Sequence, residues 1–370
     1  MKILQVLPEL NSGGVERGTL EIADYLVKAG HEALVVSNGG RQVEALEVSG
    51  ARHIAMPVHR KSFGSLFQVK SFRKLLQEEK PDILHIRSRV PGWVAYLAWR
   101  KMNPATRPRL VSTVHGFYSV NRYSAVMTKG ERLIAVSESI KAYILENYPA
   151  APPEKITVIH RGIRPESYPK GFKPDPAWTE RWNAEHPGLV GKSVFLLPGR
   201  ITRLKGHGDY FKLVAALKSE GRQVHGLVAG DTHPKKKAYL DELRAKLSEM
   251  GLQDDVTFLG HRSDVREIMA VSDVVCALSQ QPESFGRTVL EAMALAKPVL
   301  GYDCGGVGEL LGHVFPEGKV PLGDGGKLLE TARLILDTKP EPIVPEGAFT
   351  LEAMCRATLD LYEDLAKSPR

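Results

Sequence analysis

Two glutamates, Glu283 and Glu291, are eight residues apart in the stretch QPESFGRTVLEAMALAKPV. A pair of carboxylates in an enzyme can serve as general acid and general base. If the stretch were helical throughout, a rise of ~1.5 Å per residue would separate the two by about 12 Å. The paired carboxylates of glycosidases lie about 5 Å or about 6.5–9.5 Å apart. The spacing therefore argues against a two-carboxylate hydrolase.

The residues between the two glutamates predict an anion site. They follow the apolar strand DVVCALS, and a helix is expected to begin at Gly286 or Arg287. The free N–H groups and the positive dipole at a helix N-terminus bind anions, and a glycine lets a phosphate approach the backbone closely. Glu291 would lie inside this helix. It would have a purely structural role there if its carboxylate paired with a nearby cation.

Two cations follow the first strand of the second half of the chain, in GRITRLKGH at 199–207. Arg200 and Lys205 would lie at the carboxyl end of that strand, where parallel sheets bind ligands. Arginine can hold a phosphate with two hydrogen bonds, and lysine adds a compact charge. Spacing alone leaves open that these are two surface cations ahead of a helix.

Two glycine-rich turns also follow strands. DCGGVGELL, at 303–311, contains Glu309 and predicts either a backbone cradle for a polar group or a simple turn. PELNSGGVERG contains Gly13, Gly14 and Glu16, and it is not the GxGxxG fingerprint of dinucleotide-binding folds. A dehydrogenase is therefore disfavoured, whereas close approach of a phosphate or sugar to Gly13 and Gly14 is favoured.

Three more polar residues end strands in the first half: His115 in STVHGFY, Ser137 in AVSES and Arg161 in IHRGI. A lone histidine is more often structural than functional. The position of His115 directly before Gly116, at a strand end, favours a site role.

Strand and helix patterns alternate along the chain, which is typical of a parallel sheet covered on both faces. We predict an α/β protein with two Rossmann-like, doubly wound parallel-sheet domains facing a cleft. The predicted domains are residues 1–168 and 191–345, joined by a proline- and aromatic-rich linker at 169–190 and followed by a terminal helical segment at 346–370.

Composition is that of a globular protein: 370 residues, 43% hydrophobic and 25% charged. No apolar run approaches the ~18 residues of a membrane span, so we expect a cytoplasmic protein. Cys276, Cys304 and Cys355 are widely spaced, so we expect three buried thiols rather than a metal or disulfide framework. Residues 1–170 contain 25 Lys and Arg against 15 Asp and Glu, whereas residues 171–370 contain 25 against 28. The first half is thus predicted to meet an anionic partner, unless its charge is a solvated surface.

The motifs SGGVERG, VHG, AVSES, GRITRLKG, ESFGRTVLEAMALAKPV and GGVGEL occur in this order and cover essentially the whole chain. Together they resemble the retaining glycosyltransferases of family 4, which have the GT-B fold. Glu-x7-Glu with Phe-Gly after the first glutamate is specific to that family. GGVER and ESFGRTVLEA most resemble lipopolysaccharide-core and other cell-envelope transferases of bacteria.

The resemblance implies a nucleotide-sugar donor, most commonly a UDP-sugar, and a glycan or lipid-linked acceptor. It implies no metal, no other cofactor and no nucleic-acid partner. It implies that Arg200 and Lys205 bind the donor diphosphate, that Glu283 holds sugar hydroxyls and that Glu291 binds the ribose. His115 would approach the transferred sugar near the reacting carbon, and Gly13 and Gly14 would line the cleft. The terminal helix at 346–370 would cross back onto the first domain. The remaining donor-binding positions are Ser284, Phe285, Gly286, Arg287 and Thr288, with Glu16, Ser137, Arg161 and Glu309 as additional candidates.

The turn HRGIRP departs from the family's usual NGID-like sequence and leaves Arg161 and Arg164 without a role. A hydrolysing nucleotide-sugar epimerase shares the architecture, but no convincing additional acid–base set is present. A non-enzymatic two-lobed nucleotide- or sugar-binding protein is disfavoured by the Arg–Lys pair and both glutamates.

The stretch KSFGSLFQVKSFRKLLQEEK, at 61–80, interleaves phenylalanines with lysines and an arginine. As a helix it would either lie on an anionic membrane surface with its aromatics inserted, or pack its apolar face on the sheet. The first alternative would make the protein peripheral at the inner face of the cytoplasmic membrane.

Overall fold

Strands and helices alternate along the whole chain and form two parallel sheets. The computed structural model describes residues 1–11, 13–59, 65–232 and 237–369. They fall into two units, one made of Met1–Gly162 and Leu351–Arg370 and the other of Ile163–Thr350. Each unit contains one sheet. The predicted α/β class with two doubly wound sheets is confirmed.

The first unit has seven strands: β1 (Lys2–Val6), β2 (Glu32–Ser37), β3 (Arg52–Ala55), β4 (Ile83–Ile86), β5 (Arg109–Val114), β6 (Arg132–Ala135) and β7 (Ile156–Val158). Their order across the sheet is β3-β2-β1-β4-β5-β6-β7. Chain order therefore switches direction between β1 and β4. Doubly wound sheets bind ligands beyond the carboxyl ends of the strands at such a switch point.

The second unit has six strands: β8 (Ser193–Pro198), β9 (Val224–Ala229), β10 (Val256–Gly260), β11 (Val274–Ala277), β12 (Val299–Tyr302) and β13 (Lys319–Val320). They lie in the order β10-β9-β8-β11-β12-β13. Here the switch point lies between β8 and β11. The segments that follow these two strands are those that contain Lys205 and Glu283, so the topology brings these residues to one edge of the sheet.

Helices cover the sheets on both faces. All six residues of β5 and all six of β9 are buried, as expected for parallel strands packed between helices. The helices are α1 (Gly14–Lys28), α2 (Val43–Val48), α3 (Ser65–Glu79), α4 (Arg89–Trp99), α5 (Glu138–Asn147), α6 (Pro176–Glu185), α7 (His207–Ser219), α8 (Lys237–Glu249), α9 (Val265–Val271), α10 (Arg287–Ala294), α11 (Gly306–Val314), α12 (Gly325–Thr338) and α13 (Leu351–Lys367).

The last helix, α13, belongs to the first unit although it follows the second in sequence. Its apolar face, which includes Met354, Tyr362 and Leu365, is buried in the same hydrophobic cluster as residues of α1 and β1. The Tyr362 hydroxyl is also 2.6 Å from Nδ1 of the buried His85 in β4. The terminal helix thus completes one side of the first unit.

The segment predicted as a linker, 169–190, is instead part of the second unit, and the first unit ends at Gly162 rather than at 168. Asp175 caps α6 by accepting hydrogen bonds from the N–H groups of Ala177 and Trp178. The Trp182 side chain is buried in the core of the second unit. The segment rich in proline and aromatic residues is therefore folded and partly helical, because its tryptophans pack on that core.

Helix α3 packs one face on the core of the first unit. Phe72 and Leu76 are buried, whereas Phe67, at the start of the same helix, is 79% exposed. Lys61 and Phe63 lie outside the described residues. The prediction that this helix packs an apolar face on the core is therefore confirmed for its buried face. Membrane contact by its exposed face stays a prediction. Among the helices of the described ranges, none combines the length and the hydropathy needed to cross a membrane.

The three cysteines are buried and carry free thiols. Burial raises the pKa of the Cys276 thiol above its ordinary value. The predicted burial of all three thiols is confirmed.

Phe72→Ala should destabilise the protein by about 3–5 kcal/mol, because it removes a fully buried aromatic ring from the core. Phe67→Ala provides the matched control, and its effect should stay within about 0.5 kcal/mol because the ring is exposed. Urea denaturation followed by circular dichroism measures both. Equal effects of the two substitutions would contradict the burial of one face of α3.

Candidate functional site

The segment after β8 is held against the end of β11 by glycine. Gly206 has φ +72°, and a Cβ there would lie 1.9 Å from the carbonyl oxygen of Leu278. Gly199, at the exit of β8, has φ +133°. Only glycine tolerates such angles and so close an approach without strain. The segment between the two glycines therefore places Lys205 beside the residues that follow β11.

Lys205 and Glu283 form an ion pair, with 2.6 Å between Nζ and Oε1. The Ser279 hydroxyl donates a hydrogen bond to the same carboxylate oxygen. Burial raises the pKa of the Glu283 carboxyl, but the charge of Lys205 and the two hydrogen bonds outweigh it, so its pKa lies below the ordinary value. The carboxylate is thus kept ionised and fixed in position.

The loop that contains Glu283 is also fixed through its backbone. Glu283 and Gly305 form a parallel β-bridge, and the Gly306 N–H donates to the Glu283 carbonyl oxygen at 2.7 Å. A Cβ on Gly306 would lie 2.4 Å from Cα of Phe285. GGVGEL was predicted to be a turn or a ligand cradle. The structure shows a further role: its glycines let this loop pack closely against the loop that contains Glu283.

Helix α10 begins at Arg287, as predicted, after Gly286 in the left-handed region at φ +94°. Its N-cap residue, Gly286, makes no side-chain capping hydrogen bond. A Cβ on Gly286 would lie 2.9 Å from Cγ2 of Val307. Glycine therefore fits this position on two grounds, and it leaves the N-terminal turn uncovered by a side chain of its own.

The two glutamates of the motif take part in separate ion pairs. Glu291 lies one turn along α10 from Arg287, with 3.5 Å between Oε1 and Nε. The Glu291 and Arg287 side chains are 13% and 17% exposed. Glu283 pairs with Lys205 instead. Because each carboxylate has its own cation, the arrangement does not resemble two carboxylates that share a proton.

The other predicted donor-site residues of the second unit differ in exposure. Arg200 is exposed, Ser284 and Thr288 are half-buried, and the Phe285 ring is buried. The Phe285 ring lies 6.2 Å from that of Phe349 and belongs to the core. The Phe285 ring is therefore not exposed for contact with a ligand. Glu309 is half-buried in the first turn of α11.

In the first unit, Gly13 and Gly14 are exposed at the start of α1, with Glu16 in its first turn. His115 directly follows β5, at the carboxyl edge of the sheet. Arg161, which follows β7, donates to the Gly14 carbonyl oxygen at 3.0 Å and lies 3.3 Å from Nδ1 of His115. The structure thus brings Gly14, His115 and Arg161 together.

Ser137 has a structural task. Its hydroxyl oxygen accepts a hydrogen bond from the Ile140 N–H at 3.1 Å and caps α5. The side chain is fully buried. A serine followed by a helical pattern is a typical N-cap, so the sequence held this signal.

Sequence reasoning missed several residues around these sites. Ser279 was not predicted although it is polar and lies just after β11. Gly18 lies in α1, where the Arg161 guanidinium occupies the space of a missing Cβ. A buried polar set also lies inside the first unit. Its signal in the sequence was the unusual polar residues within or directly after apolar strands: Gln5, His85, Arg87 and Thr113.

Lys205→Met should raise the pKa of Glu283 above its ordinary value, because burial remains while the ammonium charge is removed. Carboxyl ¹³C NMR titration of glutamate-labelled protein measures this pKa, and Glu283→Gln assigns the signal. In the wild type the depressed pKa stabilises the fold fully at neutral pH, and this stabilisation is lost as the pH falls through the folded-state value. An unchanged Glu283 pKa in the variant would show that the ion pair is absent in solution.

Comparison with known families gives two matches. Residues 12–167 match the family Glycosyltransferase Family 4, and residues 179–319 match Glycosyl transferases group 1. The matched ranges contain the glycine turn at α1, His115, Lys205, Glu283 and Glu291.

Solved structures and a curated relative agree with these matches. A glycosyltransferase from Rickettsia africae ESF-5 superposes with a TM-score of 0.85 at 28% identity, over 100% of this chain and 99% of that one. HepE of Anabaena in complex with UDP-glucose has a TM-score of 0.76 at 22% identity, over 99% and 98% of the two chains. The lipopolysaccharide core biosynthesis mannosyltransferase LpsB of Rhizobium meliloti (strain 1021) is 27% identical over 46% of this chain and 51% of its own length. The chain therefore belongs to the family 4 glycosyltransferases of the GT-B fold.

Proposed function

We propose that the protein is a retaining, metal-independent glycosyltransferase that moves a sugar from a nucleotide-diphosphate sugar to a glycan or lipid-linked acceptor. The observation that carries this proposal is the fixed Lys205–Glu283 pair beside the N-terminus of α10. The cation suits a diphosphate, and the carboxylate can accept hydrogen bonds from sugar hydroxyls. The helix N-terminus can bind a phosphate oxygen.

The donor is proposed to be a UDP-sugar. Support comes from HepE, a structural neighbour described in complex with UDP-glucose. In this proposal Glu283 accepts hydrogen bonds from sugar hydroxyls, and Glu291 binds the ribose. Arg200 and Lys205 hold the diphosphate together with backbone N–H groups at 285–288.

The reaction develops negative charge on the departing diphosphate. In this proposal Lys205, Arg200 and the positive end of α10 stabilise this charge as it grows. The acceptor hydroxyl oxygen bonds to the anomeric carbon while the bond from that carbon to the phosphate oxygen breaks. The hydroxyl proton passes to the departing phosphate oxygen, so the products are a glycoside and a nucleoside diphosphate. Attack from the side of the leaving group retains the anomeric configuration and requires no carboxylate nucleophile.

The acceptor is proposed to belong to lipopolysaccharide or another cell-envelope glycan. The relative LpsB, described as a lipopolysaccharide core mannosyltransferase, supports this class. The excess of positive charge in residues 1–170 suits an anionic acceptor or membrane surface. A cytoplasmic location with peripheral membrane contact is part of the same proposal, with Phe67 on the exposed face of α3 as its best placed residue.

Incubation of the protein with a UDP-sugar should release UDP only when a suitable envelope glycan or glycolipid acceptor is added. Lys205→Ala should lower kcat by about 10²–10³-fold, as loss of one group that stabilises a developing charge does elsewhere. Circular dichroism should show that the variant folds. Rapid conversion of the UDP-sugar without acceptor would favour an epimerase, and full activity of Lys205→Ala would overturn the role of the ion pair.

Glu283→Gln and Glu291→Gln should show different defects. Glu283→Gln should lower kcat and leave the Kd for UDP within about threefold, since UDP lacks the sugar that Glu283 is proposed to hold. Glu291→Gln should weaken UDP binding by about 10–100-fold, the value of a hydrogen bond to a charged group. Calorimetry with UDP, GDP and ADP measures both variants and ranks the bases. Equal, pH-dependent losses of kcat in both variants would instead indicate an acid–base pair.

A further inference from the structure

The Arg161 guanidinium, which departs from the family's usual NGID-like turn, connects three elements of the first unit. Nη2 donates to the Gly14 carbonyl oxygen at 3.0 Å and lies 3.3 Å from Nδ1 of His115. Nη1 lies 3.7 Å from Sδ of Met354 in α13. The group rests on Gly18, where a Cβ would lie 2.7 Å from both terminal nitrogens. The start of α1, the end of β5 and α13 thus fix the guanidinium in place.

This contact decides the tautomer of His115. A guanidinium has N–H donors and no acceptor, so Nδ1 of His115 must accept the hydrogen bond from Arg161. A neutral imidazole whose Nδ1 accepts carries its proton on Nε2. His115 therefore presents an N–H donor on the side of the ring away from Arg161.

That donor lacks a partner. Within the described ranges, Nε2 of His115 is buried and makes no hydrogen bond to the protein. A buried donor without an acceptor is destabilising by about 1–3 kcal/mol. Such a group at the carboxyl edge of a parallel sheet is placed to meet a ligand oxygen.

Burial and the charges around His115 keep the ring neutral. Burial is the main cause that lowers the pKa of His115, and Arg161, Arg87 and His85 lower it further. The Tyr118 hydroxyl accepts from the His115 backbone N–H, and burial raises the pKa of that hydroxyl. The buried Glu21 of α1 acts electrostatically on Arg87 and pairs with Arg17 at 3.1 Å.

We infer that Arg161 is a positioning residue that holds His115 in its Nε2–H form, so that His115 donates a hydrogen bond to an oxygen of the bound sugar donor. The ligand part of this inference rests on the proposed transferase function. The hold of Arg161 on the imidazole is a property of the first unit alone.

Long-range ¹H–¹⁵N correlation spectra of histidine-labelled protein test the tautomer directly, with His115→Gln as the assignment variant among the 12 histidines. In the wild type, Nε2 of His115 should be protonated and Nδ1 unprotonated across neutral and mildly acidic pH. Arg161→Met should give a mixture of tautomers and raise the pKa of His115, because both a donor and a positive charge are lost. Arg161→Lys should restore part of the wild-type behaviour.

Gly18→Ala perturbs the same contact without changing Arg161. The new Cβ would push the guanidinium away from His115, while alanine favours the helix more than glycine does. The tautomer mixture should therefore reappear in a variant that folds well. Arg164→Met is the matched control, since it removes an exposed arginine three residues along the same turn, and both readouts should stay as in the wild type.

Turnover with a UDP-sugar and an acceptor tests the consequence. Arg161→Met and Gly18→Ala should lower kcat by about 10–100-fold, as expected for a misplaced reacting group, with little change in the KM for the donor. A protonated Nδ1 in the wild type would overturn the inference, and so would full kcat in Arg161→Met. If the wild type transfers no sugar, the proposed function fails, and the NMR result alone decides whether Arg161 holds His115.

Discussion

The candidate donor site depends on one constraint: Glu283 is fixed through its side chain and its backbone at once. Lys205 and Ser279 hold the carboxylate, and the Gly305–Gly306 turn holds the main chain by a bridge and a 2.7 Å hydrogen bond. A half-buried carboxylate is stable in this place only because a cation is close enough to offset its lost hydration. The turn at 284–286 and the start of α10 take their positions from the same two anchors.

Much of this site could be predicted because its determinants are local in sequence. The Glu-x7-Glu spacing, the start of a helix at Arg287 and the cations of GRITRLKG lie within short motifs after apolar strands. The switch point between β8 and β11 then brings Lys205 to Glu283, and alternation of strands and helices already implies such a sheet. The reason for the glycines at 305 and 306 was not predictable, since they contact a loop about twenty residues earlier in the chain.

The parts that sequence reasoning missed depend on distant contacts or on burial. Arg161 contacts Gly14, His115 and Met354. These residues are far apart in the sequence, so no motif spacing predicts the contacts. The proline-rich stretch at 169–190 suggested a linker, because composition does not show that Trp178 and Trp182 stack at 5.2 Å. The Trp178 indole N–H also donates to Asp264 at 2.8 Å, which ties the segment to the second unit.

The two units treat buried positive charge in different ways, and this difference bears on what each can bind. In the second unit Lys205 has a carboxylate partner, so its charge is largely offset until a ligand arrives. In the first unit Arg87 is 2% exposed, and its Nη1 donates to the Gln5 side chain at 3.1 Å, whereas Nε and Nη2 find no acceptor among the described residues.

Arg87 and Arg161 both line a small cavity, which has room for about one water molecule. Two guanidinium groups beside neutral His85 and His115 leave a local excess of positive charge at the carboxyl edge of this sheet. The electrostatic field of this positive charge attracts anionic ligands, and it does so without a direct contact from any one side chain. The positive excess of residues 1–170 therefore has a buried component as well as a surface one, and salt screens the buried component much less.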